Sequence, residues 1–361
     1  MEVPATPAMF IDSTIVARNV ERLAAYAGQY ELDVRPHIKT HKSRRVAALQ
    51  MDAGAVGLTT AKVGEAEIMG EVADDIMLAY PAIDPARTAR IARLATHATV
   101  RVAVDSLAGA ERLADAANRV ASTVGILVDL DVGMGRTGLQ TASQCLKLAQ
   151  YVDETPGLRL DGLFCYPGHV GGPADQQEPA LRDVSDKLNE VLLIWERHGL
   201  QARIVSGGST PTAFQSHLVP EYTEIRPGTC VYNDINTVKA GYCSLDDCAA
   251  RIVCTVVSTS VPGKVVLDGG TKTFTSDRCA PAPDSGHGFI LEFPEATIGR
   301  LTEEHAEVDI RNCQSGPKLG QRVTVVPNHI CPCVNLQDAV WWRDAEGSLE
   351  EMPIDARGKL V

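Results

Sequence analysis

The sequence predicts an α/β protein, an N-terminal (β/α)₈ TIM barrel with a C-terminal mainly β domain. Two observations predict it. Up to about residue 230, eight short apolar runs alternate with amphipathic helical segments. After about residue 240, strand-like runs continue without long helices, punctuated by Gly and Pro. The first set of runs is Leu32–Ile38, Ala55–Thr59, Asp75–Ala79, Val100–Val104, Gly125–Asp131, Leu160–Cys165, Arg203–Ser206 and Thr223–Arg226. Between them lie helical segments that include Lys62–Met69, Pro85–Leu94, Ser106–Ala121, Ala142–Val152 and Glu178–Arg197. Eight strands alternating with helices are what a closed parallel barrel requires. A doubly wound sheet is the competing architecture, but it usually has fewer strands in this length.

The elements follow in order. Met9–Asp12 reads as a strand, and Ser13 or Thr14 can cap a helix with Val20, Leu23, Ala24 and Tyr26 on its inner side. The barrel is expected over residues 13–240, and residues 1–12 with 241–361 are expected to form the β domain. There the strand candidates are Ala250–Val257, Lys264–Leu267, Phe289–Phe293, Glu307–Ile310, Arg322–Pro327 and Val340–Arg343. The net charge of −12 argues against a general nucleic-acid binder. No apolar span of about 20 residues and no signal pattern are present, so no membrane partner and a cytoplasmic location are expected. The ten cysteines are scattered rather than spaced as a disulfide framework.

Residues at the C-terminal ends of barrel strands face the active site. The first such end carries Arg35-Pro36-His37-Ile38-Lys39-Thr40-His41-Lys42. This run reads either as a basic surface loop or as the seat of a lysine that forms a Schiff base with a carbonyl cofactor. The other ends also carry polar groups, which favours a functional Lys39. They are Asp129–Asp131 leading to Arg136, then Tyr166 and His169, then Ser206–Thr210, and finally Arg226–Thr229. Ser206-Gly207-Gly208-Ser209-Thr210 can approach an anion with backbone N–H groups and hydroxyls, as phosphate loops do on a seventh barrel strand. Its alternative is a tight turn with a helix cap. Gly133–Gly138 matches G-x-G-x-x-G, but it follows the fifth strand and no acid closes a second strand about 20 residues later, which disfavours a nicotinamide cofactor. His329-Ile330-Cys331 follows a strand in the second domain. In extended chain these two side chains point the same way and could share a metal; a loop histidine beside buried cysteines is the simpler reading.

Taken together, Arg35–Lys42, Asp131–Gly138, Tyr166–His169, Ser206–Thr210, Arg226–Thr229 and His329–Asn335 resemble the D-threonine aldolase and D-serine dehydratase family of fold type III pyridoxal-phosphate enzymes, related to alanine racemase. The resemblance spans nearly the whole chain. It implies a homodimer and a pyridoxal 5′-phosphate cofactor in Schiff-base linkage to Lys39. It also implies that Arg136 and Tyr166 lie near the cofactor ring. Ser206, Gly207, Gly208, Ser209, Gly228 and Thr229, with Tyr232, would hold the phosphate. His329 and Cys331 would hold a divalent metal (Zn, Mn or Mg), and His169 would serve as the base at the substrate hydroxyl. The implied reaction is cleavage of a D-β-hydroxy amino acid, as in a D-threonine aldolase that yields glycine and an aldehyde. The alternative is a D-serine or D-3-hydroxyaspartate dehydratase that yields a 2-oxo acid and ammonia. Some aldolases of the family have aspartate where Cys331 stands, and dehydratases typically have cysteine. Two further readings have less support: a non-catalytic pyridoxal-phosphate carrier, which would lack the second domain, and a racemase, for which the metal pair is superfluous.

Overall fold

The computed structural model describes residues 4–361. The described chain forms two compact units, one of residues 21–39, 43–228 and 358–361, the other of residues up to 20, 40–42 and 229–357.

The first unit is built on eight parallel strands: β2 (Asp33–Val34), β3 (Leu58–Thr60), β4 (Asp75–Leu78), β5 (Thr99–Val104), β6 (Val124–Leu130), β7 (Leu158–Cys165), β8 (Ile204–Gly207) and β9 (Glu224–Ile225). Their order is β2-β9-β8-β7-β6-β5-β4-β3. A parallel bridge between His37 and Thr59 closes the ring, with the Ile38 N–H on the Thr59 carbonyl at 2.9 Å and the Thr59 N–H on the Pro36 carbonyl at 2.9 Å. The sheet is therefore the expected TIM barrel. Its crossover helices are α2 (Arg44–Asp52), α3 (Val63–Met69), α4 (Pro85–Leu94), α5 (Leu107–Arg119), α6 (Ala142–Glu154) and α7 (Glu178–Arg197).

Inward-facing residues recur every second position along a barrel strand. Met77, Ala103, Leu127 and Phe164 form one packed layer of the interior. Two residues earlier on β4 and β5 stand Asp75 and Arg101, and they belong to an ionic layer. Arg35 Nε lies 2.9 Å from Glu224 Oε2 and its Nη1 lies 2.6 Å from Asp75. Arg101 pairs with Asp75 and reaches Asp161 at 2.9 Å. Arg159 closes the row on Asp161 at 2.5 Å. Gly125, two residues before Leu127, leaves the room, because a Cβ there would run into the Asp161 carboxylate. Burying these charges is tolerable only because each has a partner.

The second unit is mainly β. Its sheet contains β1 (Ala8–Asp12), β10 (Ala250–Ser258), β11 (Lys264–Leu267), β12 (Phe289–Ile290), β13 (Thr297–Leu301), β14 (Ala306–Asp309), β15 (Arg322–Val326), β16 (Ala339–Arg343) and β17 (Leu349–Pro353). The N-terminal strand β1 pairs antiparallel with β10 and parallel with β16.

Several expectations are corrected in detail. The first barrel strand is only Asp33–Val34 rather than Leu32–Ile38, since Pro36 has no N–H to give a ladder. A 3₁₀ turn over Ala213–Leu218 follows β8 in place of a long helix. α2, β13 and β17 were not anticipated. β17 is acidic and carries little apolar alternation, so only its pairing with β16 defines it. His329-Ile330-Cys331 is not extended: His329 caps the helix Ile330–Asn335.

Candidate active site

The barrel unit presents one set of residues at its strand ends. Lys39 lies two residues beyond the His37 bridge. Its N–H donates to His37 Nδ1 at 3.3 Å, and among the described residues its ammonium has no hydrogen-bond or ion-pair partner. After β6, Asp131 receives N–H groups from Gly133 and Gly135, both at 3.0 Å, and so folds the glycine loop. That loop runs on to α6 without opening a helix at Gly138, consistent with a turn rather than a dinucleotide cradle. Arg136 lies on it, 4.5 Å from the centre of the Tyr166 ring. His169 is exposed, with its ring edge against Gly133 and no hydrogen-bond partner among the described residues.

The loop after β8 is tightly built. A Cβ at Gly207 would collide with the Tyr222 ring, and Gly208 takes φ +75°. The Ser209 hydroxyl lies 3.1 Å from that of Thr212, and the Gly228 N–H donates to the Thr210 hydroxyl at 3.3 Å. Ser206 is fully buried, and its hydroxyl is engaged within the barrel: it donates to Glu224 at 2.5 Å and accepts from Arg226 at 2.6 Å. Arg226 also donates to the Cys165 carbonyl at 2.6 Å and lies 3.9 Å over the Phe164 ring. Asp129 extends the interior face of β6 two residues beyond Leu127, and burial pushes its carboxyl up to about 6, partly offset by a hydrogen bond from Thr137.

The β unit carries a second set. Thr229 begins a 3₁₀ turn, and Tyr232 is fully buried. The Tyr232 hydroxyl has no hydrogen-bond partner among the described residues. His329 Nδ1 lies 2.9 Å from Asp277 Oδ2. The Ile330 N–H donates to Asp234 Oδ2 at 3.1 Å, which anchors the start of the helix. Thr40, the residue after Lys39, places its hydroxyl 3.2 Å from the Cys331 sulfur, and the Thr229 hydroxyl lies 3.6 Å from the same sulfur. Burial alone would depress His329, but its hydrogen bond to Cys331 and the acidic neighbours outweigh burial and raise it to about 9. Burial would raise the Cys331 thiol, but the facing imidazole outweighs it and lowers its pKa. The two groups thus favour each other's charged forms.

Asp277, Asp234 and Thr40 escaped the sequence reading, because nothing in their spacing links them to His329 and Cys331. Arg226 was visible only as a strand-end residue. Arg35, the first residue of the Lys39 run, belongs to the ionic layer of the barrel. Buried His41 packs edge-on to Tyr232, with ring centres 6.4 Å apart.

The barrel residues fit a phosphate-bearing cofactor: the loop after β8 is closely packed at its glycines, and among the described residues the Lys39 amine is unpaired. Within the β unit, His329 and Cys331 fit a divalent ion of borderline character, since a thiolate and an imidazole whose other nitrogen meets a carboxylate are common metal donors. Among the described residues no group of three or more His, Cys, Asp or Glu converges, so any such ion would keep positions open for water or substrate.

A closed barrel with a lysine at its first strand end, joined to a β unit, defines the alanine racemase-like class of proteins. The chain belongs to the family described as "Alanine racemase, N-terminal domain", whose model matches residues 11–235, and residues 249–342 match the "Putative serine dehydratase domain". It is 28% identical over 361 residues to a D-threonine aldolase from Arthrobacter sp., covering 98% of this chain and 93% of that protein. It is also 28% identical over 350 residues to D-threo-3-hydroxyaspartate dehydratase from Delftia sp. (strain HT23), covering 90% of each. The crystal structure of D-threonine aldolase from Filomicrobium marinum superposes with a TM-score of 0.91 at 26% identity, covering 99% of this chain and 97% of that one. Among the described residues no helix is long and apolar enough to cross a membrane.

Proposed function

We propose that the protein is a pyridoxal-phosphate- and divalent-metal-dependent lyase acting on D-β-hydroxy amino acids, with retro-aldol cleavage of the D-threonine type as its main reaction. The unpaired Lys39 amine at the first strand end carries this reading. When bound, pyridoxal 5′-phosphate supplies a conjugated ring that accepts the electron pair released at the substrate α-carbon. Lys39 would hold the cofactor's aldehyde carbon. Arg136 and Tyr166 would flank the ring, and Gly207, Gly208, Ser209, Gly228, Thr229 and Tyr232 would hold the phosphate. Ser206 has its hydroxyl on Glu224 and Arg226, so its contribution would be to support this loop from inside the barrel. His329 and Cys331 would hold the metal, which would supply Lewis acidity at the β-hydroxyl. His169, exposed and without a partner, would accept the hydroxyl proton. Asp277 holds the His329 ring in one orientation. The chain is expected to act as a cytoplasmic homodimer.

Dehydration to a 2-oxo acid and ammonia is the second reading, and the thiolate character of Cys331 favours it. Product analysis decides between them. Glycine and acetaldehyde from D-threonine support cleavage; pyruvate and ammonia from D-serine support dehydration. Lys39→Ala is expected to abolish the visible absorbance of the bound cofactor. Absorbance that survives the substitution would sink the reading.

A further inference from the structure

We propose that Gln177 is a positioning residue: its side chain clasps the loop that carries His169 to the loop that follows β8, so that an anion held in the β8 loop fixes the base. The inference rests on the lyase reading for the roles of the two loops, but the clasp itself stands on geometry.

The chain leaves β7 at Cys165 and enters α7 at Glu178. Between them, residues 171–176 are all exposed, and Gln177 is 1% exposed. Its amide Nε2 donates to the Gly172 carbonyl at 3.0 Å and to the Pro211 carbonyl at 3.1 Å. Gly172 stands three residues after His169, and Pro211 stands two residues after Ser209. One amide group therefore bridges the β7 and β8 loops. Its orientation follows from its partners, because the reverse would set an oxygen against two carbonyl oxygens.

Neither helix capping nor packing accounts for this side chain. Gln177 occupies the N-cap of α7 but makes no capping hydrogen bond, and Pro179 in the first turn has no N–H to offer one. Its Oε1 is buried without a hydrogen-bond partner among the described residues, a cost that an apolar residue of similar size would avoid. The two donated bonds are what the amide supplies.

The segment it holds has little packing of its own. Nothing lies within 4 Å of the place a Gly172 Cβ would take, and Gly172 adopts φ +78°. At the other end, the His169 ring edge rests against Gly133. On the β8 side, the Ser209 N–H donates to the Thr212 hydroxyl at 3.2 Å, so Pro211 lies inside a turn that Ser209 begins. An anion drawing on Ser209 stiffens that turn and the Pro211 carbonyl within it. Through Gln177 the constraint passes to Gly172 and so to the segment that carries His169. The base is then held in place when the phosphate loop is filled.

Amide hydrogen exchange tests this on the parent, Gln177→Leu and Gln177→Glu, with inorganic phosphate and then pyridoxal 5′-phosphate as ligands. Leu removes the donors and Glu keeps the shape, so an effect shared by both is not a packing defect, and exchange within α7 checks the fold. The reporters are the Val170 and Gln176 N–H groups, which donate to the Pro167 and Pro173 carbonyls at 3.1 and 2.9 Å. In the parent, either ligand is expected to slow exchange about tenfold at residues 207–212 and at these reporters, the factor that one net hydrogen bond supports. In both variants the slowing should persist at 207–212 and vanish at the reporters. With cofactor saturating, kcat for D-threonine should fall about tenfold and KM should change less than twofold. Slowing confined to 207–212 in the parent, or kept at the reporters in the variants, overturns the clasp and leaves the cofactor site standing. Slowing lost at both loops in both variants overturns the coupling and makes Gln177 a support of the β8 loop alone. No slowing at either loop of the parent overturns the clasp and the cofactor site together. An unchanged kcat beside the expected exchange overturns the positioning of His169. If the parent cleaves no D-β-hydroxy amino acid but exchange behaves as expected, the lyase reading fails and the clasp stands.

Discussion

Asp129 shows how one buried side chain becomes testable. Burial raises its carboxyl to about 6 from an ordinary 3.8. A carboxyl whose folded pKa is raised binds its proton more tightly when folded. Its unfavourable contribution is therefore absent below pH 3.8, grows between 3.8 and 6, and is constant above that. The span corresponds to about 3 kcal/mol at neutral pH. Asp129→Asn is accordingly expected to be more stable than the parent at pH 7.5, with the gap closing as pH falls from 6 to 4, which denaturant titration at each pH can measure. At the same scale, Asp277→Asn removes the carboxylate that holds the His329 imidazole at 2.9 Å. Loss of such a partner typically weakens metal binding 10- to 100-fold, so competition with a chromogenic chelator should show zinc affinity falling by about that factor. Equal affinity in parent and variant would remove Asp277 from any role in metal binding by His329 and Cys331.

Among the elements, β7 carries the sharpest lesson. Ile126 pairs with Leu160 and Leu127 pairs with Gly162, so Asp161 is the extra residue of a bulge. The bulge puts Asp161 between Arg101 and Arg159 and completes the ionic layer. Gly162 takes φ +152°, and a Cβ there would collide with the Ile204 carbonyl on β8. Gly162→Ala is therefore expected to lower the denaturation midpoint by the equivalent of about 3 kcal/mol or more, since strained backbone and a main-chain clash add. Glu224→Gln acts on the same layer from β9. It leaves Arg35 with an incomplete partner set, and breaking a buried pair costs about 3–5 kcal/mol. None of this layer was legible as such. Arg35 was read with the Lys39 cluster, and the pairing of Arg101 with Asp75 and Asp161 depends on strands distant in sequence meeting around a closed ring.

For the whole molecule, cofactor and stability are linked. A ligand that binds only the folded state at a hundred times its Kd adds about 2.7 kcal/mol. Removing pyridoxal phosphate with hydroxylamine should lower Tm, and adding it back should restore Tm in a concentration-dependent way. A Tm indifferent to the cofactor would count against a site for it. The barrel and the β-rich second half were legible because the hydrophobic period changes near residue 240, and period follows from backbone geometry alone. Lys39, the glycine loop after β8 and the strand-end polar residues were legible because a barrel puts strand C-termini on one face whatever its sequence. The chain alone therefore determined the architecture and which polar residues stand at its strand ends. Tertiary structure decided the rest: that His329 and Cys331 meet at the start of a helix rather than along a strand, that Asp277 and Thr40 attend them, and that Ser206 is bound up inside the barrel. These are long-range pairings, set by which side chains the closed fold brings within about 3 Å of one another, and no local pattern of residues records them.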